Sequence, residues 1–132
     1  MKFELQQMPE QSSGAIVNCS SLAGLIGGNQ PETHHAAKHG VIEFTKRAAL
    51  EYATRCIRVN VVCPGMIRSP MPDKMIAEGQ GPELDRTLNN FVPMKRLGRP
   101  EEVANAILWF CSDASSYVTG PSISVDGSYV IH

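Results

Sequence analysis

Apolar positions along the chain switch between two periods, and the switches mark out its elements. Residues 15–19 (AIVNC) and 57–63 (IRVNVVC) are compact apolar runs, the pattern of strands buried on both faces. Between them, from about Thr33 to Thr54, Ala37, Val41, Phe44 or Thr45, Ala48 and Tyr52 recur three to four residues apart. That period predicts an amphipathic helix. Ala36, Ala37, Gly40, Ala48, Ala49 and Ala53 keep it slim enough to pack closely on a sheet or a second helix. A strand, a long helix and a strand with short joins form a βαβ unit, so the two strands are expected to be parallel with a right-handed crossover.

The flanks are read by the same means. Met1, Phe3, Leu5 and Met8 predict a short helix over Met1–Met8, stopped by Pro9. From Met66 to Pro100 the pattern loosens, with short helices expected at Pro72–Glu78 and Pro82–Phe91 on either side of Gly79-Gln80-Gly81. Arg99-Pro100-Glu101-Glu102 opens a well-marked helix, with proline in the first turn and acids beside the positive end of the dipole. It runs to about Cys111 with Val103, Ala106, Ile107 and Phe110 as its buried stripe. A turn at Tyr117–Gly120 leads to a third strand, Ser122–Val125, closed by Asp126-Gly127. The fold class expected is α/β: one domain over residues 1–132, about three parallel strands with helices on both faces.

Composition narrows the classes of function. With 132 residues and a formal charge of -1, the chain offers no basic surface for nucleic acid or an anionic membrane. Lys95, Arg96 and Arg99 form a short basic cluster without interleaved aromatics, expected to be a solvated loop. Cys19, Cys56, Cys63 and Cys111 make no CxxC pair and no zinc-like spacing. Cys19 and Cys63 fall inside apolar runs, where a thiol behaves as a small buried hydrophobe. That favours a reducing, cytoplasmic setting. The opening MKFELQQMPEQ lacks the apolar core of a signal peptide, and no apolar run is long enough to span a bilayer.

Five local patterns then occur in order: NCSS at the end of the first strand, HHAAK at the start of the long helix, PGMIRS after the second strand, GRPEEVA, and VTGPSISVDG. Together they resemble the second half of the short-chain dehydrogenase/reductase family, over essentially the whole chain. The resemblance implies the C-terminal portion of a Rossmann-like doubly wound sheet. It also implies hydride transfer between NAD or NADP and a small alcohol or carbonyl substrate.

In that family a serine, a tyrosine and a lysine carry the chemistry. The serine stands 13 residues before the tyrosine and the lysine four after it. Ser21 and Lys38 match these offsets, and position 34 is histidine where the family has tyrosine. The tyrosine passes a proton to or from the substrate oxygen, and the lysine cation lowers its pKa and binds the nicotinamide ribose. The serine hydroxyl holds the substrate oxygen. The resemblance further assigns Pro64, Gly65, Ile67 and Ser69 to the nicotinamide end of the cofactor. It makes the segment after Ser69 a substrate lid, with Met66, Met71, Met75 and Met94 hinting at an apolar pocket.

His34 is expected to lack the tyrosine's function. Imidazole carries its outer nitrogen closer to the backbone than tyrosine carries its oxygen, and a misplacement of about 1 Å can cost about 10²-fold in rate. Lys38 would also push the ring towards its neutral form. The glycine-rich strand–turn–helix that cradles the pyrophosphate has no counterpart here, because Gly24–Gly28 precedes a proline-containing loop. The residue that sorts NAD from NADP and the helix asparagine of the family's tetrad are also missing. The chain therefore reads as truncated, starting late in the helix before the family's fifth strand, and weakly active or inactive alone.

His35 and His39 stand at a helical spacing that can hold zinc, but Ala-Ala-Lys lies between them and no carboxylate ligand is evident, so no metal is expected. An interaction role rests on the first strand, whose far side pairs in the family with a strand absent here. An open apolar edge invites association with another copy or with a full-length relative.

Overall fold

The computed structural model describes residues 1 and 3–131. Strands β1 (Gly14–Cys19), β2 (Ile57–Pro64) and β3 (Ser122–Val125) form a parallel sheet in the order β1-β2-β3. The expected three-strand α/β architecture is what the chain adopts. Eight-residue helix α1 (Glu4–Gln11) precedes β1, and α2 (Glu32–Tyr52) makes the crossover to β2. Helices α3 (Pro70–Met75), α4 (Gly81–Phe91) and α5 (Pro100–Cys111) come before β3.

Because side chains alternate along a strand, β2 serves two faces. Val61 and Cys63 pack with Ile42 of α2, and Ile57 and Val59 pack with Ala48 and Ala49 of the same helix. On the opposite face Arg58 reaches the end of α5, donating to the Phe110 and Ser112 carbonyls at 2.7 and 3.1 Å. It also donates to Ser115 Oγ at 2.8 Å. A guanidinium at a helix C-terminus satisfies carbonyls that have no intrahelical partner and opposes the negative end of the dipole. Asn60, fully buried, donates to the Val118 carbonyl at 3.0 Å and so fastens the turn before β3. Phe110, the innermost member of the expected α5 stripe, is completely buried; Val103, Ala106 and Ile107 are half-buried.

Several local expectations need correction. Helix α1 runs through Pro9 to Gln11 and ends where Ser12 turns left-handed at φ 56°. Proline removes one donor and does not by itself end a helix whose apolar side, Leu5 and Met8, is already seated on the core. Within the expected span Met1–Met8, Lys2 lies outside the described residues. The buried face of α2 is Ile42, Thr45, Ala48 and Ala49, while Phe44 is 56% exposed and Ala37 is on the surface. Thr45 and Ala48 are thus the expected stripe, with Val41 and Tyr52 packed against the core beside it, and the stripe stops short of Ala37. Strand β1 is half-buried along its length and Cys19 is exposed; Cys63 alone of the strand cysteines is buried.

The looser segment is a chain of short helices. Helix α3 starts at Pro70, two residues before the expected start. A π-helical turn, Ile76–Gln80, carries it to α4, with Gly79 at φ 83° making the break the glycines foretold. Leu84, Leu88 and Val92 form a separate small core with Met66, Leu97 and Tyr129 packed against it. Among the described residues no helix is long and apolar enough to cross a membrane.

Candidate functional site

The two stretches singled out by sequence meet beyond the carboxyl end of β1, the side of a parallel sheet where such folds place ligands. Strand pairing continues one residue past β1, since the Ser20 amide donates to the Val62 carbonyl at 2.8 Å. Ser20 is buried, and its hydroxyl donates to the Lys38 carbonyl of α2 at 2.8 Å. Ser21 turns the chain outward. Its Oγ accepts from the Ala23 amide at 3.2 Å, capping a single 3₁₀ turn over Leu22–Gly24. Gly24 is pressed on α2: a Cβ there would lie 2.6 Å from Ser20 Oγ and 2.8 Å from the Lys38 carbonyl oxygen. Glycine is required by that close approach.

His34 and Lys38 sit one turn apart in the first two turns of α2, both half-buried. The Lys38 ammonium donates to the Cys19 carbonyl at a long 3.5 Å. His35 donates from Nδ1 to the Ala23 carbonyl at 2.9 Å, and His39 donates from Nδ1 to the His35 carbonyl at 3.0 Å. Rings of His34 and His35 meet edge to face, with centroids 6.4 Å apart. The backbone anchors made by His35 and His39 are structural uses of the pair weighed above for zinc. Among the described residues no group of three or more His, Cys, Asp or Glu is placed to hold a metal ion.

Ser21, His34 and Lys38 thus lie on two segments fastened together by hydrogen bonds. The Pro64–Ser69 loop leaves the neighbouring strand. Gly65 backs on Asp126, where a Cβ would come within 2.7 Å of the Asp126 Cα, so the ends of β2 and β3 are in contact. Ile67 bridges to Gly98, and Ser69 is exposed. Near this rim the Cys63 thiol is held above its ordinary pKa, chiefly by burial. It stays a neutral packing group.

A cleft of about 370 Å³ opens beside the loop, lined in part by Met66, Ile67, Met94, Arg96, Glu102 and Asp126. Ile67 is the one assigned site residue on its wall; Ser21, His34 and Lys38 are elsewhere. Of the four methionines, Met66 and Met94 line it, whereas Met71 is 72% exposed. Arg96 is an exposed loop cation, as expected, and its guanidinium also grips Glu102 with two hydrogen bonds, 2.9 and 2.7 Å, while Glu102 accepts from the Arg99 amide at 2.7 Å. These donors, Arg96 first, lower the Glu102 pKa from 4.5 to about 2. The glutamate three residues after Arg99 in GRPEE was the available signal for that cap, and its reach back to Arg96 was not.

Comparison with known proteins gives these segments a common origin. A family model described as enoyl-(acyl carrier protein) reductase matches residues 1–129. The chain belongs to the short-chain dehydrogenase/reductase family. It is 46% identical over 124 residues to the 3-oxoacyl-[acyl-carrier-protein] reductase FabG of Thermotoga maritima, covering 94% of this chain and 48% of that protein. It is 45% identical over 129 residues to the cyclohexanol dehydrogenase of Acinetobacter sp. strain SE19, covering 98% of this chain and 48% of the relative. Among solved structures, ElxO with NADP bound matches at 37% identity and a TM-score of 0.93, over 100% of this chain and 52% of that one. Levodione reductase matches with a TM-score of 0.87 at 34% identity, over 94% and 49%. The chain spans about half the length of the relatives it matches.

Proposed function

We propose that this chain carries the substrate side of an NAD(P)-dependent alcohol/carbonyl oxidoreductase site and is weakly active or inactive by itself. The observation that carries the reading is the fastening of the Ser20-Ser21 turn to the start of α2 through the Lys38 carbonyl. It brings Ser21, His34 and Lys38 to one end of the sheet, in segments that the family's enzymes share. In this assignment Ser21 holds the substrate oxygen, Lys38 meets the nicotinamide ribose, and Pro64, Gly65, Ile67 and Ser69 meet the nicotinamide end. His34 stands where the family uses tyrosine and leaves proton transfer short of a well-placed acid.

The residues present fit only part of a dinucleotide. The Lys38 ammonium, with a single long hydrogen bond, remains able to take a ribose hydroxyl. A pyrophosphate is better served by a glycine-rich turn running directly into a helix N-terminus. Here Leu22–Gly24 is one isolated 3₁₀ turn, and each of the five α-helices among the described residues carries an acid in its first turn: Glu4, Glu32, Asp73, Glu83, and Glu101 with Glu102. Those carboxylates repel phosphate where the helix dipole would attract it. No step of the reaction is therefore assigned to bound NAD or NADP in this chain.

Titration with NADH and NADPH, followed by fluorescence, is the test. No saturable binding is expected by the isolated chain; saturable binding would show that enough of the nucleotide site is here. Assay of His34→Tyr with both nucleotides and a secondary cyclic alcohol separates the two deficits. Little gain is expected, and activity restored by that change alone would assign the loss to His34 rather than to the nucleotide side.

A second reading has its own observation: β1 is an edge of the sheet, apolar and only half-buried. Such an edge is a template for another strand. Self-association, or association with a full-length relative, follows from it. A monomer at high concentration in size-exclusion chromatography, with a sharp thermal transition, would count against this role. The same proposal places the chain in a reducing cytoplasm, in keeping with its four free thiols.

A further inference from the structure

We propose that His35, which neither the catalytic nor the metal reading employs, is the positioning residue that sets Ser21 against the helix bearing His34 and Lys38. This rests on the assignment of Ser21 and Lys38 above, and the chain of contacts is short. Ser21 Oγ accepts from the Ala23 amide, and the carbonyl of that same Ala23 accepts from His35 Nδ1 at 2.9 Å. Ala23 is 1% exposed, so its carbonyl has little recourse to water if the imidazole is removed.

The Ser20–Lys38 hydrogen bond and the long one from Lys38 Nζ to the Cys19 carbonyl tie the chain to α2 on one side of Ser21 only, which leaves a pivot. His35 and Lys38 are three residues apart on the same side of the helix, so the His35 bond beyond Ser21 removes the rotation that the Lys38 ties allow. Position and orientation of Ser21 are then both fixed relative to α2. His35 also touches the other flank of the site, its ring lying edge-on to that of His34.

The ring's protonation pattern follows from its partner. A carbonyl oxygen only accepts, so Nδ1 carries a hydrogen. Nε2 is buried without a partner. It lies under Gly28, where a Cβ would stand 3.8 Å away. No hydrogen bond holds the ring at Nε2, so the one at Nδ1 is what keeps it in place. Asparagine presents a donor at the reach of Nδ1, and glutamine presents one at the reach of Nε2. The proposal therefore predicts a particular pattern of rescue.

The experiment is nuclear magnetic resonance on the whole chain without substrate or nucleotide, so its outcome is independent of whether the chain is an oxidoreductase. Long-range ¹H–¹⁵N spectra of the wild type should show a hydrogen on His35 Nδ1. Amide exchange at Gly24 and Leu25 should rise about tenfold in His35→Ala, the effect of losing one hydrogen bond to a buried carbonyl. It should return towards wild type in His35→Asn and stay high in His35→Gln, while exchange in β2 is unchanged. An Nδ1 of wild-type His35 that carries no hydrogen would overturn the proposal, and that reading needs no variant to fold. Unaltered exchange in His35→Ala, or equal rescue by asparagine and glutamine, would overturn it as well.

Discussion

Strands β1 and β2 are written in nearly the same residues, GAIVNC and IRVNVVCP, and occupy different environments. From Val59 to Cys63, β2 is wholly buried, with a strand on each side and helices on both faces. β1 has one strand neighbour, is half-buried from Gly14 to Asn18 and ends on the exposed Cys19. Each spends an asparagine amide on an anchor. Asn18 donates to Thr45 of α2 at 2.8 Å, and Asn60 donates to Val118 ahead of β3 at 3.0 Å. An apolar run therefore reports the surroundings a strand is suited to, whereas burial reports the neighbours it has. The difference between the two is the free side of β1.

The sharpest way to break this comparison is to truncate one isoleucine in each strand. Ile57 is 1% exposed and Ile16 packs against the same cluster from β1, only partly buried. Ile57→Ala is expected to cost about 2 to 5 kcal/mol, the range for emptying a buried aliphatic site. Ile16→Ala should cost less than half of that. Urea unfolding at several protein concentrations measures both. Equal losses, or a loss for Ile16 that grows with concentration, would show that β1 is covered in solution by another chain.

Arg58 comes next. Replacing it with methionine keeps much of the apolar stem and removes three donated hydrogen bonds at the end of α5. Hydrogen bonds to a charged group contribute about 1.5 to 3 kcal/mol, so a loss in that range is expected in thermal unfolding. Since α5 lies over the face opposite α2, amide exchange should rise in α5 and β2 before it rises in α2. A uniform rise would mean that the two faces of the sheet unfold as one unit.

A smaller effect tests the β1 anchor. Thr45 is fully buried, donates to the Val41 carbonyl at 2.7 Å and accepts from Asn18. Thr45→Val keeps the shape and leaves the Asn18 amide short of a partner, at an expected cost of about 1 kcal/mol. Pairing it with Asn18→Ala in a double-mutant cycle isolates the bond between β1 and α2. An additive cycle would show that β1 is held by its ladder alone.

The strands, the crossover helix and the α5 start were legible because each has a local cause: short runs rich in Ile and Val, a helical period, and Pro-Glu-Glu at a first turn. The site was legible through spacing, since Ser21 and Lys38 lie at the ends of segments whose order fixes where they meet. What stayed hidden is tertiary. The burial of Ile42 and Ala49 beside the expected stripe of α2 turned on how the sheet meets the helix, and the exposure of Cys19 turned on its place at the end of an edge strand. His35 reads as one histidine among three until its ring is seen under the Ser21 turn. Arg96 reads as a loop cation until α5 brings Glu102 back to it.

That last pair gives the mildest test, and its sign follows from the carboxylate. Glu102 is ionised in the folded chain down to a pKa of about 2, against 4.5 ordinarily, because Arg96 and the Arg99 amide bond its charged form. A lowered folded-state pKa adds stability that is complete above about pH 4.5 and is lost as the pH falls towards 2. Glu102→Gln should therefore unfold at a slightly lower temperature than wild type at neutral pH, with the gap narrowing below pH 4.5 and closing near pH 2. The pair is open to solvent, so the gap at neutral pH should also shrink in high salt. Glu102 holds the first turn of the helix that backs β2, so the effect belongs to the well-covered side of the comparison. A gap that persists at pH 2 would instead trace the loss to the neutral cap on the Arg99 amide, with the ion pair adding nothing.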